Sequence, residues 1–249
     1  MQGLDLGKVP PIIVDKIIPF YNEILKVHSQ IIHSIHIVGS AITPDFNERA
    51  SDINSIIILN EINHDFIRFL SSLGDKYRKK RIAAPLVMTP QYIINSLDVF
   101  PIEFHDFRLI HQTILGLDIL SGLEINKRYL RLQCEREAKA KIIGLRQGYI
   151  SSSGDRELIT SMIIKSFTGC FPFFRAILFL LDMKPPILRS MVIKEIQGIA
   201  TIQSDIFERL LLLKNRMLKP SIREINQIFD EYCIAFEKIA NIVDKLQES

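Results

Sequence analysis

Two short polar sequences, each at the end of an apolar segment, have residue types that could bind a phosphorylated ligand. Gly39 and Ser40 follow the apolar residues 35–38, and Asp52 and Asn54 begin the next apolar segment. Because glycine has no side chain, a Gly-Ser turn lets backbone N–H groups approach a phosphate closely. A carboxylate that begins the following strand can hold the Mg²⁺ that accompanies the phosphate. Together these residues predict a nucleotide site.

Two strands must position these residues. Residues 35–38 predict one strand, and Asp52 begins a second. Successive side chains of a strand point to opposite faces, which puts Asp52 and Asn54 on one face and Ile53 with Ser55 on the other. The two polar side chains are therefore expected to point in the same direction.

The spacing of these residues resembles the signature of the DNA polymerase beta-type nucleotidyltransferase superfamily. That signature is a hydrophobic residue, Gly, Gly or Ser, a connecting segment, and then two carboxylates one residue apart in a strand. Val38, Gly39 and Ser40 match its first part, and eleven residues separate Ser40 from Asp52. Asn54 departs from the signature because it stands where the second carboxylate would be.

The resemblance implies a site for a nucleoside triphosphate with Mg²⁺ as cofactor. It assigns Gly39 and Ser40 to the phosphates, Asp52 to both metal ions, and the remaining ligand position to Asn54. The amide oxygen of Asn54 is neutral, whereas two closely spaced hard cations are best bound by charged oxygens. The loss of this carboxylate is expected to weaken the second metal ion most.

A third carboxylate is expected from a strand that follows the signature, and Glu103 matches that position. Apolar and polar residues alternate over residues 99–109, which predicts a strand with Glu103 on its polar face. Asp106 would point to the opposite face of such a strand. Glu103 is therefore the candidate ligand of the metal ion that, by the resemblance, activates the acceptor.

Charged residues near the signature have two interpretations. Arg49, in the polar loop over residues 41–51, could contact a phosphate, or the loop is an ordinary polar surface loop. Asp45 or Glu48 could supply the missing carboxylate if that loop folds inward. The basic run over residues 76–81 could also reach phosphates, although cations at a helix C-terminus are common on solvated surfaces.

The second half of the chain predicts helices only. Apolar residues recur at steps of three and four from Asn126 onward, which predicts up to five helices that cover one another. The resemblance thus implies an α+β protein with a mixed-sheet nucleotidyltransferase domain over residues 1–125 and an all-helical bundle domain over residues 126–249. This half resembles the helical domain of kanamycin-type nucleotidyltransferases and HEPN-like helical partners.

Composition limits the class of protein and the compartment that the sequence can indicate. The 249 residues are 47% hydrophobic and carry a net charge of +3, which predicts a globular protein without a required polyanionic partner. Three cysteines without metal-ligand spacing favour a reducing, cytoplasmic compartment. No membrane span is expected, because charged residues interrupt the apolar run around residues 171–181. His28, His33 and His36 are interpreted as surface or partly buried residues rather than a metal site.

Two classes of function follow. As an enzyme, the protein would transfer a nucleotidyl group to an unknown acceptor. As a catalytically impaired binding or regulatory module, it would keep the fold and the nucleotide without turnover, which Asn54 favours. A purely structural role for the Gly-Ser turn and Asp52 is a third interpretation. Nucleic acid is disfavoured as a substrate because aromatic and basic residues do not interleave. A homodimer formed by the helical domain is compatible with the sequence.

Overall fold

The computed structural model describes residues 3–246. The protein is α+β, with a four-stranded mixed sheet in its first half and helices alone in the described part of its second half. It divides into two compact units. The first comprises Met1–Asp98 and Glu103–Ile125, and the second comprises Val99–Ile102 and Asn126–Ser249.

The first unit contains the sheet, in the spatial order β3-β2-β1-β4. β2 and β4 run antiparallel to β1, and β3 runs parallel to β2. The elements in chain order are α1 (Pro11–His28), β1 (Ile32–Val38), β2 (Asn54–Leu59), α2 (His64–Arg78), β3 (Leu86–Met88), α3 (Pro90–Asn95), α4 (Pro101–Leu109, whose first two residues group with the second unit) and β4 (His111–Gly116).

The register of the strands brings three chain segments to one end of the sheet. Val38, the last residue of β1, pairs with Asn54 on one side and with His111 on the other. β4 contains an extra residue, because Ile35 pairs with Leu115 whereas the next residue of β1 pairs with Thr113. The end of β1 therefore meets the beginnings of β2 and β4.

One face of the sheet packs on α1 and α2. Ile35, Ile37 and Ile57 belong to a buried cluster with Phe20 of α1 and Phe66 of α2. The buried residues of α1 form an apolar stripe along one side of the helix, which continues through Pro19. Burial of this stripe against the sheet holds α1 in place.

The strand predicted over residues 99–109 is wrong, because this segment forms helix α4. Pro101 is its first residue, a position that requires no backbone N–H. Ile102, Phe104 and His105 are buried, which fits one side of a helix rather than alternate residues of a strand. Glu103 lies exposed in the first turn, where a negative charge suits the helix dipole.

The apolar segment over residues 82–88 is a strand only in part. Only Leu86–Met88 forms β3, at the edge of the sheet, while Ile82 makes an isolated bridge with Ile53. Pro85 lacks a backbone N–H and limits the pairing in between.

The second unit is built from six helices. α10 packs against α5, α6 and α9, while α5 also packs against α6 and α7, and α7 packs against α8. They are α5 (Lys127–Ser151), α6 (Arg156–Thr168), α7 (Phe171–Leu180), α8 (Arg189–Ile199), α9 (Ile206–Lys214) and α10 (Ile222–Lys245). The predicted capping box of Ser221 and Glu224 begins α10.

The apolar segment over residues 156–180 forms two helices. α6 ends before Gly169, and α7 begins at Phe171 with a proline in its first turn. The break lets aromatic rings from both helices enter the core, because Phe167 and Phe174 both contact the ring of Phe207, with centroids 6.0 and 5.9 Å apart.

Among residues 3–246, one stretch is long and apolar enough to cross a membrane by length and mean hydropathy. It is Arg156–Leu180, which covers α6 and α7, and 56% of its most apolar 18-residue window is buried inside the structure. Core helices of globular proteins meet the same criteria, so the absence of a membrane span stays a prediction.

Candidate functional site

The Gly39-Ser40 turn has a backbone that suits a closely approaching ligand. Gly39 has φ +71°, a conformation that side chains disfavour, and a Cβ built on it would meet nothing within 4 Å. Its N–H donates to the carbonyl oxygen of Ile110 at 3.2 Å, which fixes the turn beside the start of β4. Residues Gly39–Ile42 form a short 3₁₀ turn, and both Gly39 and Ser40 are half-buried.

Asp52 and Asn54 lie next to this turn. Asn54 is the cross-strand partner of Val38, so the start of β2 lies beside the end of β1. Both polar side chains are exposed, whereas Ile53 and Ser55 are buried. The alternation predicted for this strand is observed, and it leaves one carboxylate and one amide open to solvent.

Asp52 already has a cationic partner. The Nη1 atom of Arg81 lies 3.4 Å from its Oδ1 atom, and both side chains are partly exposed. Arg81 has a left-handed backbone with φ 60°, and its carbonyl oxygen accepts a hydrogen bond from Ile53 at 2.8 Å. The backbone of β2 thus holds Arg81 beside Asp52. A metal ion at Asp52 would compete with this guanidinium.

A cavity of about 760 Å³ adjoins Asp52. Its lining includes Asp52, Arg78 and Arg81, together with apolar residues of α2 and of the segment that leads into β3. Its volume is within the range of small-molecule sites. Each guanidinium is paired with a carboxylate of the same lining, Arg81 with Asp52 and Arg78 with Asp75, so the charges of the lining balance. Gly39 and Ser40 are not part of its lining.

The structure does not bring Glu103 into this arrangement. Glu103 lies in the first turn of α4, seven residues before Ile110, whose carbonyl contacts the Gly39 turn. At the rise of an α-helix, that separation is about 10 Å along the axis. The third carboxylate expected on a strand is therefore absent from the strands in the described part of the chain.

The loop between β1 and β2 leaves its charged residues at the surface. Arg49 is exposed, and its backbone N–H donates to Oδ1 of Asn47 at 2.9 Å. Glu48 pairs with Lys16 of α1 at 3.0 Å, which directs it toward the helix instead of the Gly39 turn. In the basic run, Arg78 pairs with Asp75 at 3.1 Å, an ordinary helix-surface contact.

A second polar cluster lies on the same face of the sheet, and the sequence did not reveal it. One ligand atom each from His36, His111 and Asp118 lies within 4.8 Å of the others. His36 is completely buried in β1, where its ring contacts two hydroxyl groups, Ser34 Oγ at 2.9 Å and Thr113 Oγ1 at 2.8 Å. Burial, together with the nearby His111 ring, lowers the pKa of His36 to about 4.

His28, His33 and His36 do not form a common cluster of metal-ligand atoms. His28 contacts the rings of Phe66 and Phe69, with centroids 5.2 and 4.8 Å away, which explains it as a packing residue. Only His36 joins the cluster, and its partners come from β4 and the following loop, more than seventy residues later in the chain. The available signal was a histidine in the middle of an apolar strand, where a buried imidazole needs polar partners.

In comparisons with known proteins, the chain matches no protein-family model and no curated sequence. The resemblance to the nucleotidyltransferase superfamily therefore stays a prediction from the signature residues.

Proposed function

We propose that the first unit binds a nucleoside triphosphate with one Mg²⁺ ion and has the fold of a nucleotidyltransferase domain, while efficient nucleotidyl transfer is lost. The observation that carries the proposal is the pairing of Val38 with Asn54, which sets the open Gly39-Ser40 turn beside Asp52. A phosphate at the turn and a metal ion on Asp52 would then be neighbours.

The small number of carboxylates explains why nucleotide binding would persist while nucleotidyl transfer is lost. Two divalent ions about 4 Å apart repel by on the order of 16 kcal/mol at an effective dielectric constant of about 20, so several carboxylates must lie between them. Here Asn54 is neutral and Glu103 lies on a helix. One carboxylate, Asp52, supports one ion bound jointly with the phosphates.

The second unit fits this proposal as a helical companion domain. Its six helices bury a largely aromatic and aliphatic core, as in a helical bundle. Weak transfer to an unknown acceptor is the second candidate function, favoured by the retained Asp52 carboxylate.

Isothermal titration with ATP, GTP, CTP and UTP in the presence of Mg²⁺ tests the binding. We expect at least one nucleotide to bind the parent protein, and at least tenfold weaker binding to Asp52→Ala. Asp65→Ala is the matched control, because Asp65 is an exposed carboxylate in α2 that pairs only locally with Arg68. Pyrophosphate release should stay at the background rate.

Two results would contradict the proposal. If the folded parent protein binds none of the four nucleotides, the Gly-Ser turn and Asp52 are structural. If Asp52→Ala binds as tightly as the parent protein, the nucleotide site lies elsewhere. Rapid pyrophosphate release that Asp52→Ala abolishes would favour the enzyme instead of the binding module.

A further inference from the structure

In the cluster of His36, His111 and Asp118, both ring nitrogens of His111 face oxygen atoms that accept hydrogen bonds. The Nδ1 atom of His111 lies 2.8 Å from the carbonyl oxygen of Phe107, and its Nε2 atom lies 2.9 Å from Oδ1 of Asp118. A carbonyl and a carboxylate only accept hydrogen bonds. A neutral imidazole has one N–H, so it can satisfy one of these oxygens and would turn a lone pair toward the other.

Two species can resolve this contact. One is a second proton on the ring, which makes His111 a cation paired with Asp118. The other is a metal ion between Nε2 and the carboxylate, with Nδ1–H still donating to the Phe107 carbonyl. The second arrangement is the usual one for a metal-bound histidine, whose other nitrogen donates to a backbone carbonyl or carboxylate.

His36 favours the metal ion over the second proton, because it adds a second imidazole on the same face of the sheet. It is fully buried, and both of its nitrogens contact hydroxyl groups. Hydroxyls can donate or accept, so the neutral ring is satisfied with one N–H and one lone pair. A metal ion could displace one hydroxyl from the lone pair while the other hydroxyl keeps the N–H oriented. A buried neutral imidazole next to a histidine–carboxylate pair is a ligand set, whereas a simple ion pair does not need it.

We propose that His36, His111 and Asp118 form a binding site for a divalent transition-metal ion of the Zn²⁺ class. Two imidazole nitrogens and one carboxylate oxygen suit Zn²⁺ and neighbouring metals, whereas Mg²⁺ prefers oxygen ligands. Ligand atoms of tetrahedral Zn²⁺ are about 3.3 Å apart, so the widest pair, now within 4.8 Å, would close by about 1.5 Å or less, while His111 Nε2 and Asp118 Oδ1, now 2.9 Å apart, would open slightly. Rotation of the partly exposed Asp118 side chain can supply part of this adjustment, and water can fill the fourth position.

This metal site is distinct from the proposed nucleotide site, although both lie on one face. Asn54, Val38 and His111 form a row across three strands, which places the Asn54 and His111 backbones about 10 Å apart, while the Gly39 turn bonds to Ile110, the residue before His111. The inference does not depend on nucleotide binding, because no residue of the cluster is assigned to the nucleotide.

Metal titration of the full-length protein tests the site. The protein is stripped with EDTA and dialysed, then titrated with Zn²⁺ by calorimetry and with Co²⁺ by visible absorption. We expect one Zn²⁺ per chain with micromolar or tighter affinity, a Co²⁺ spectrum of low coordination number with nitrogen ligands, and no competition from Mg²⁺ in excess.

Variants locate the ion. His111→Ala and Asp118→Asn should each weaken Zn²⁺ binding at least tenfold, because each removes a ligand. His64→Ala is the matched control, since His64 is an exposed histidine at the start of α2. Asp52→Ala should also leave Zn²⁺ binding unchanged, which separates this site from the nucleotide site. Circular dichroism of each variant establishes that it is folded.

The proposal is overturned if the folded parent protein binds no Zn²⁺, or if Asp118→Asn, which preserves the shape of the side chain, binds Zn²⁺ as tightly as the parent. Loss of binding in His64→Ala equal to that in His111→Ala would also overturn it, because the ion would then bind surface histidines without a defined site.

Discussion

The Asp52 site and the His36–His111–Asp118 cluster occupy one face of the same sheet, yet they hold their polar groups in different ways. Asp52 and Asn54 are exposed, and Asp52 has a partner in Arg81. In the histidine cluster His36 is buried and Asp118 is exposed, and both ring nitrogens of His111 face oxygen atoms that accept hydrogen bonds. The first site keeps few of the ligands that its expected ion needs, whereas the second holds three residues of two ligand types that would suit a different metal. Matching a signature and assembling ligands are therefore separate properties.

The largest difference in stability should come from substituting one glycine near each site. Gly39 lies in the turn of the proposed nucleotide site, and Gly116 lies two residues before Asp118. Gly116 ends β4 with φ +75°, and a Cβ there would lie 2.1 Å from the backbone oxygen of His33. Because that oxygen cannot move without the strand, Gly116→Ala should cost about 3 kcal/mol or more of unfolding free energy. Gly39→Ala, whose Cβ meets open space, should cost only about 1–2 kcal/mol from its left-handed backbone. Urea denaturation measures both.

Equal losses for the two alanine variants would contradict this difference in packing. A ligand assay on Gly39→Ala adds information, because its methyl group would occupy the open space expected for a phosphate. Nucleotide binding should fall in this variant while Zn²⁺ binding stays unchanged.

The next largest effect should come from restoring the missing carboxylate. Asn54→Asp adds a negative oxygen beside Asp52, so Mg²⁺ should bind about tenfold more tightly in the presence of nucleotide, since hard cations prefer charged oxygens. Zn²⁺ binding at the histidine cluster should not change. Calorimetric Mg²⁺ titration in the presence of nucleotide measures the first affinity.

Asn60→Asp provides the control for this substitution, because Asn60 is exposed just beyond the opposite end of β2. If both aspartate variants increase Mg²⁺ affinity equally, the gain reflects general surface charge. If neither increases it, Asp52 is not a metal ligand.

The smallest effect should arise on the opposite face of the sheet, where α1 and α2 are joined by Glu23. Hydrogen bonds from Lys76 and Tyr77 hold the pKa of the Glu23 carboxyl below its usual value. Such a group contributes stability above its unfolded pKa, and the contribution is lost as the pH falls through the lower folded pKa. The stability difference between the parent protein and Glu23→Gln should therefore shrink on going from pH 7 to pH 3.

Urea denaturation at several pH values measures this difference. A difference that stays constant with pH would mean that the carboxylate charge of Glu23 does not contribute. Zn²⁺ binding at the histidine cluster should be unaffected by Glu23→Gln at pH 7, because this contact lies on the other side of the sheet from His36.

Local signals predicted local structure well. Asn63, Asn126 and Ser221 each cap a helix, and such a cap can be found in a sequence because it acts on the three residues that follow it. Alternation failed over residues 99–109, where Pro101 and burial on one helical side outweighed the strand pattern. The Gly39-Ser40 turn could be located because its signature is contiguous.

The histidine cluster could not be predicted, because its members are brought together by strand pairing. Nothing in the residues around His36 specifies that β4 becomes its neighbour, or that an extra residue in β4 sets His111 opposite Val38. One residue of register moves a side chain to the other face, so the cluster depends on a detail that periodicity does not encode.

The central position of β1 also has a consequence for the order of folding. Val38 pairs with Asn54 across 54 − 38 = 16 positions and with His111 across 111 − 38 = 73 positions. Closing the longer loop costs about 1.3 kcal/mol more conformational entropy. We expect the β1–β2 hairpin to form first and β4 to dock later, since distant pairings are the slower ones. The Gly39–Asp52 neighbourhood would thus exist before His36 meets His111, and a metal ion would be captured only in the last stage of folding.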